Sequence, residues 1–267
     1  MSPPEASPGS DLPAKARRAR VLAVTSGKGG VGKTFLSANL AAALTRRGER
    51  VLVLDADLGL ANLDVVLNLV PKVTLHDVFT GNATLDDAIV PAPGGFSVLL
   101  AGSGMVEYSR LTPAVRDQLL DVIRTVAPRF DRILLDTGAG ISDVVLFAVS
   151  LADEVALVVT SEPTSLTDAY ATIKVLASQQ QRHAIRLIVN QVSALGEARN
   201  VRAQLQRVVD RFVKPESGRA VTLDLLGAVP ADPAVREAVQ KRQLLLEFYP
   251  GSRAALAVSE VAAQLAP

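Results

Sequence analysis

Between residues 26 and 34 the chain runs Ser26-Gly27-Lys28-Gly29-Gly30-Val31-Gly32-Lys33-Thr34. A short apolar run, Val21 to Thr25, leads into this stretch, and a helical pattern, Phe35 to Arg47, leads out of it. Strand, glycine-rich turn and helix start are the context a phosphate-binding loop requires. Gly27, Gly29, Gly30 and Gly32 carry no side chains, so successive backbone N–H groups can curl around phosphate oxygens. The helix start adds unpaired N–H groups and the positive end of its dipole. Lys33 offers a cation to the β- and γ-phosphates, and the Thr34 hydroxyl a ligand for Mg²⁺. The pattern G-x-x-x-x-G-K-T spans Gly27 to Thr34, with Val31 inside it, and predicts a nucleotide site.

Outward from the loop, apolar runs alternate with helical patterns. The runs are Val21–Thr25, Val51–Asp55, Phe96–Ala101, Arg132–Asp136, Val155–Thr160, Ile185–Asn190 and Thr222–Val229. Short continuous apolar strands belong to a parallel sheet buried on both faces. Helices are expected near 35–47, 113–127, 142–151, 165–180, 197–213 and 233–241, with a last one over roughly 252–265. The fold class is therefore α/β: a single doubly wound, mostly parallel sheet with helices on both faces, the P-loop NTPase arrangement. Residues 1–19, with Pro3, Pro4, Pro8 and Pro13, read as a flexible extension, and residues 20–267 as one domain.

Composition narrows the function classes. Of 267 residues 49% are hydrophobic, enough for a large core, and a net charge of +1 argues against a polyanion-seeking protein. No nucleic-acid surface is evident. There is no cysteine, which excludes disulfides and an iron–sulfur cluster held by this chain's own thiolates. No apolar stretch reads as a secretory signal or reaches the roughly eighteen residues of a membrane span. A cytoplasmic location is expected, with the inner-membrane surface as the alternative. His76 and His183 lack metal-ligand spacing. Arginines spread around most of the 197–213 pattern, which reads as a solvated face.

Two strands end in carboxylates, where a sheet of this kind places its ligands. Val51–Leu54 runs into Asp55-Ala56-Asp57, and Ile133–Leu135 into Asp136-Thr137-Gly138-Ala139-Gly140. An aspartate at a strand end is commonly a turn former, but two beside a phosphate loop predict one on the Mg²⁺ side and one orienting the attacking water. Gly138 and Gly140 would let a backbone N–H approach the γ-phosphate. Lys28 is the surplus residue. It lies too early for the same face of the loop as Lys33, a position from which it could reach the nucleotide of a neighbouring subunit.

The stretch Lys28-Gly29-Gly30-Val31-Gly32-Lys33-Thr34 resembles the deviant phosphate loop of the MinD/ParA family of dimerising ATPases. The resemblance implies that ATP and Mg²⁺ are the ligands and that two subunits close face to face as a homodimer. It makes Lys28 the lysine acting across the dimer, Asp57 the residue positioning water, and Thr34 and Asp136 the magnesium side. It places Asn190, Pro230 and Asp232 beside the adenine base. Asp55–Asp64, Asp136–Ser142, Thr160–Tyr170, Leu75-His76-Asp77-Val78 and Gly102-Ser103-Gly104 are similar to the FlhG/FleN branch, which controls flagellar number and placement. The partners this implies are an FlhF-like GTPase, a flagellar switch-ring component or a flagellar transcription activator.

The match covers roughly residues 20–265 and departs from the family at both ends. The segment Ala254–Pro267 has no lysine or arginine, so it reads as a helix packed on the domain, not as the family's basic membrane-surface helix. At the other end, Asp11–Arg17 keeps only a remnant of the branch's Asp-Gln-Ala-x-x-Leu-Arg motif. The rival readings are a cell-division MinD, which wants a basic terminal helix, and a ParA-type partition ATPase, which wants a basic DNA surface.

Overall fold

The computed structural model describes residues 18–59, 61–102, 110–194, 196–214 and 218–265. The N-terminal remnant motif, Leu60 and the Ser103-Gly104 part of the turn signature lie outside these residues. One eight-stranded sheet carries the chain, in the order β3-β4-β2-β5-β1-β6-β7-β8. Its strands are β1 (Arg20–Ser26), β2 (Val51–Ala56), β3 (Ile89–Pro91), β4 (Ser97–Leu99), β5 (Arg132–Ala139), β6 (Glu154–Val159), β7 (Ala184–Val192) and β8 (Thr222–Pro230). All neighbours pair in parallel except β3 with β4, an antiparallel edge that the sequence reading lacked. Three residues ending in Pro91 offer too little alternation to be read as a strand.

The long helices fall where periodicity put them: α1 (Lys33–Arg46), α5 (Pro113–Val126), α6 (Asp143–Ser150), α7 (Pro163–Gln179), α8 (Glu197–Phe212), α9 (Pro233–Gln240) and α11 (Arg253–Leu265). Four one-turn helices were not anticipated: α2 (Leu63–Leu67), α3 (Leu75–Phe79), α4 (Leu85–Ala88) and α10 (Leu245–Phe248). They are too short for an apolar period. Two of them carry a different signal, the capping boxes Thr74 with Asp77 and Thr84 with Asp87.

Alternating strand side chains feed two cores. Leu22 and Val24 join Leu36, Leu40, Val258 and Val261 on one face, while Val21 and Ala23 join Leu119, Ile173, Val201 and Leu205 on the other. The final helix does pack on the domain. Ala254, Ala255, Val258, Val261, Ala262 and Leu265 of α11 are buried, and a Cβ added at Gly227 of β8 would lie 2.4 Å from Val261.

Every loop that matters sits at one edge. β1 lies between β5 and β6, and the chain leaves it on one side for β2 and returns on the other for β6. That is the switch point at which open parallel sheets leave a crevice for ligands.

Candidate nucleotide site

Gly30 and Gly32 adopt φ of +78° and +97°, a left-handed region that only glycine enters without strain. Gly32 is the N-cap of α1; it gives no side-chain cap, and the first turn holds no acid. The four orphan N–H groups of the helix start are thus left for an outside acceptor. Packing constrains the loop from both sides. A Cβ at Gly27 would lie 2.3 Å from the Asp168 backbone of α7, and one at Gly32 would lie 2.5 Å from Nδ2 of Asn190.

Lys33 and Thr34 open α1, and Lys33 is 9% exposed. Burial lowers the pKa of its ammonium, while Asp136 and Asp57 pull it back up. Register explains the clustering of acids: Asp55 and Asp136 are Cα partners in the β2–β5 pair, so two strand-end carboxylates lie side by side. Burial raises Asp136 to about 6, opposed by hydrogen bonds from Thr34 and Ser37 and by the charge of Lys33. The Ser37 hydroxyl donates to Asp136 Oδ1 at 2.8 Å. Asp55 is pushed well above the usual carboxylate range, by burial first and Asp136 second. Its oxygens accept from the N–H groups of Asp57 at 3.1 Å and Leu63 at 3.4 Å, closing the loop that carries Asp57.

Asp57 itself lies against Gly138: a Cβ there would meet its Oδ1 at 3.3 Å. Gly140 takes φ of +89°, and its N–H donates to the Ser26 carbonyl at 2.8 Å. The loops after β1, β2 and β5 therefore converge. No group of three or more His, Cys, Asp or Glu among the described residues could hold a metal alone. Thr34 and Asp136 are hard oxygen donors in hydrogen-bond contact, which fits an Mg²⁺ whose remaining ligands are phosphate oxygens and water.

Lys28 and the three residues expected beside the base stand differently. Lys28 Nζ reaches Glu162 Oε2 at 2.6 Å and Thr164 Oγ1 at 2.9 Å, at the start of α7. Its side chain stays 36% exposed and that of Glu162 59%. Asn190 is buried; its amide donates to the Val31 carbonyl at 2.8 Å, and its Oδ1 accepts from the Gln191 N–H at 2.9 Å. It braces the phosphate loop. Pro230 ends β8, and Asp232 caps two helices, accepting from the N–H of Ala234 at 2.9 Å and of Ala254 at 3.1 Å.

Sequence reasoning missed Asp55 as the most deeply buried acid, Ser37 as a partner of Asp136, and Glu162 with Thr164 as the holders of Lys28. Ser37 had a readable signal, four residues after Lys33 on the same helix face. Glu162 and Thr164 had none, because their pairing joins positions 134 and 136 residues from Lys28.

Comparison with known proteins agrees with this geometry. Residues 22–246 match the model of the CobQ/CobB/MinD/ParA nucleotide binding domain. The antiactivator FleN of Pseudomonas aeruginosa is 45% identical over 243 residues, covering 91% of this chain and 85% of that protein. The flagellum site-determining protein YlxH of Helicobacter pylori is 32% identical over 248 residues, covering 92% and 81%. Among solved structures, the septum site-determining protein MinD complexed with Mg-ADP, from Pyrococcus horikoshii, superposes with a TM-score of 0.72 at 31% identity, covering 92% and 96%.

Proposed function

Since this chain belongs to the CobQ/CobB/MinD/ParA nucleotide-binding family, and stands nearer to FleN than to MinD in identity, we propose that it is an ATP-dependent dimerising switch that sets flagellar number or placement. The observation that carries the ATPase part is the convergence of Lys33, Thr34, Asp57 and Asp136 on one uncapped helix start. The flagellar part rests on the 45% identity to FleN against 31% to a division MinD. After its first residue, Arg253, α11 carries no lysine or arginine, which also counts against a division MinD.

In this reading the loop amides, α1 and Lys33 hold the β- and γ-phosphates. Thr34 and Asp136 would hold Mg²⁺, which when bound would supply charge neutralisation at the phosphates. Asp57 orients a water in line with the γ-phosphorus. Attack by that water forms the new P–O bond, breaks the bond to ADP and releases phosphate. Lys28 leaves Glu162 and reaches the phosphates bound by the second subunit, where a cation acting across an interface contributes on the order of 10³–10⁵ in rate. Its present pair is exposed and worth under about 1 kcal/mol, so surrendering it is cheap. Loss of the γ-phosphate removes the lysine's target and releases the dimer.

The protein so read works in the cytoplasm or at the inner-membrane surface. Its partners are a flagellar GTPase, a switch-ring component or a transcription activator. The last is favoured by the relative named an antiactivator. The test is a count of flagella by electron microscopy in a deletion strain of the host. Wild-type protein should restore the normal number and Lys33→Ala should not. An unchanged count in the deletion strain defeats the flagellar reading and leaves the ATPase untouched.

A further inference from the structure

The turns after β6 and β7 are joined by one side chain. Glu197 is the first residue of α8, and Gly196 before it, at φ +86°, provides no side-chain cap. Oε2 of Glu197 accepts from the Ser193 N–H at 2.6 Å, the Ser193 hydroxyl at 3.0 Å and the Ala194 N–H at 3.1 Å. The Ser161 hydroxyl, on the turn after β6, donates to the same carboxylate. Those donors, Ser161 foremost, hold the carboxyl down to about 2, so it stays ionised at neutral pH. A glutamate at a helix start ordinarily caps its own turn; this one gathers donors from two.

Both turns touch the phosphate loop. Ser161 is followed by Glu162, which with Thr164 holds Lys28. The other turn begins at Asn190, whose amide grips the Val31 carbonyl, and passes through Gln191 at φ +59°. A circuit of hydrogen bonds and short backbone turns thus leaves the loop at Val31 and returns to it at Lys28, by way of Asn190, the 190–194 turn, Glu197, Ser161 and Glu162. Charge-assisted bonds are the strong links of such a circuit, and Glu197 makes four of them. It is also the link that can be cut without touching the pocket.

We propose that Glu197 is a positioning residue for Lys28. By pinning the Ser161–Glu162 turn it sets how firmly a lone protomer retains that lysine, and so how readily the lysine passes to a second subunit. The second half of this statement rests on the dimerising-switch reading above.

The test compares wild type with Glu197→Ala and Glu197→Gln in the full chain. Lysines are acylated with limiting acetic anhydride and rates are read by peptide mass spectrometry, with Lys174 and Lys241 as references in the same sample. Lys28 should acylate about threefold faster or more in Glu197→Ala, the range open to an exposed ion pair. Glu197→Gln should show a smaller gain, with both reference rates unchanged. The ATP concentration giving half-maximal dimer should fall by a similar factor, while ADP affinity stays the same. An unchanged Lys28 rate, or a rise shared by all three lysines, overturns the proposal. Faster Lys28 acylation with unchanged assembly overturns its second half. Should the alanine variant not fold, the glutamine variant carries the same comparison. A wild type that never assembles with ATP defeats the switch reading, while the acylation rates still judge the role of Glu197.

Discussion

The two edges of this sheet handle charge in opposite ways. At the edge where the strands begin, cations are matched. Arg20 and Arg186 both meet Glu154, Arg50 meets Asp131, and Arg132 meets Glu49. Even the helix ends are served there: Arg132 donates to the Leu265 carbonyl and Arg186 to that of Gln264, both at the end of α11. At the edge where the strands finish, Asp55 and Asp136 are buried side by side with raised pKa values, Lys33 is desolvated, and α1 starts without a cap. The first edge is finished by the chain itself save for Arg132 Nη1, which is buried without a hydrogen-bond partner. In the proposed function, the second is completed only when phosphate, metal and a partner's lysine arrive. Instability stored at one edge of a well-satisfied scaffold is how a site is kept ready for its ligand.

Cutting each edge separately should separate binding from stability. Lys33→Ala should weaken MgATP by about 3–4 kcal/mol, several hundredfold, as calorimetric titration would show, with the melting temperature held or raised. Arg132→Met should do the reverse. Removing this 1%-exposed guanidinium strands Glu49, so denaturant unfolding should lose about 3 kcal/mol while nucleotide affinity is unchanged. If either variant moved both quantities together, the division of labour between the edges would be false.

Asp136 sharpens the contrast, because one substitution should carry opposite signs. A carboxyl raised from 3.8 to about 6 stabilises the fold while protonated, and that contribution is lost as pH climbs from about 4 to about 6. Asp136→Asn removes the buried charge. It should stabilise the nucleotide-free protein at pH 7.5 by about 1–2 kcal/mol while abolishing the Mg²⁺-dependent part of ATP binding. In the wild type the same proton competes with the metal. The Mg²⁺-dependent part of the affinity should therefore fall about tenfold per pH unit below about 6, and Asp136→Asn, which lacks that part, should bind ATP equally with and without Mg²⁺ across the same range. Smallest of all, Arg50→Ala breaks an exposed pair and should leave the melting temperature within error.

How legible each edge was in sequence follows from the same difference. Phosphate-loop chemistry is local: glycines, Lys33 and Thr34 are contiguous, and their neighbours announce strand and helix. Asp57 and Asp136 end apolar runs, so topology alone brings them to the crevice. The sheet and its long helices were legible because a doubly buried parallel strand and an amphipathic helix both leave runs of sufficient length. What stayed hidden is made by pairing across sequence distance. The salt bridge of Lys28 with Glu162, the Asn190 brace on Val31 and the double capping by Asp232 each need the folded register. The resemblance placed Asp232 beside the adenine base; that it accepts from both Ala234 of α9 and Ala254 of α11 appears only once β8 and α11 are packed.

The central claim is that Lys28 completes the site of a second subunit, and sedimentation of Lys28→Ala with MgATP tests it most directly. The variant should bind ATP about as tightly as the wild type yet sediment as a monomer at nucleotide concentrations where the wild type is dimeric. A Lys28→Ala protein that dimerises with ATP as the wild type does would contradict it.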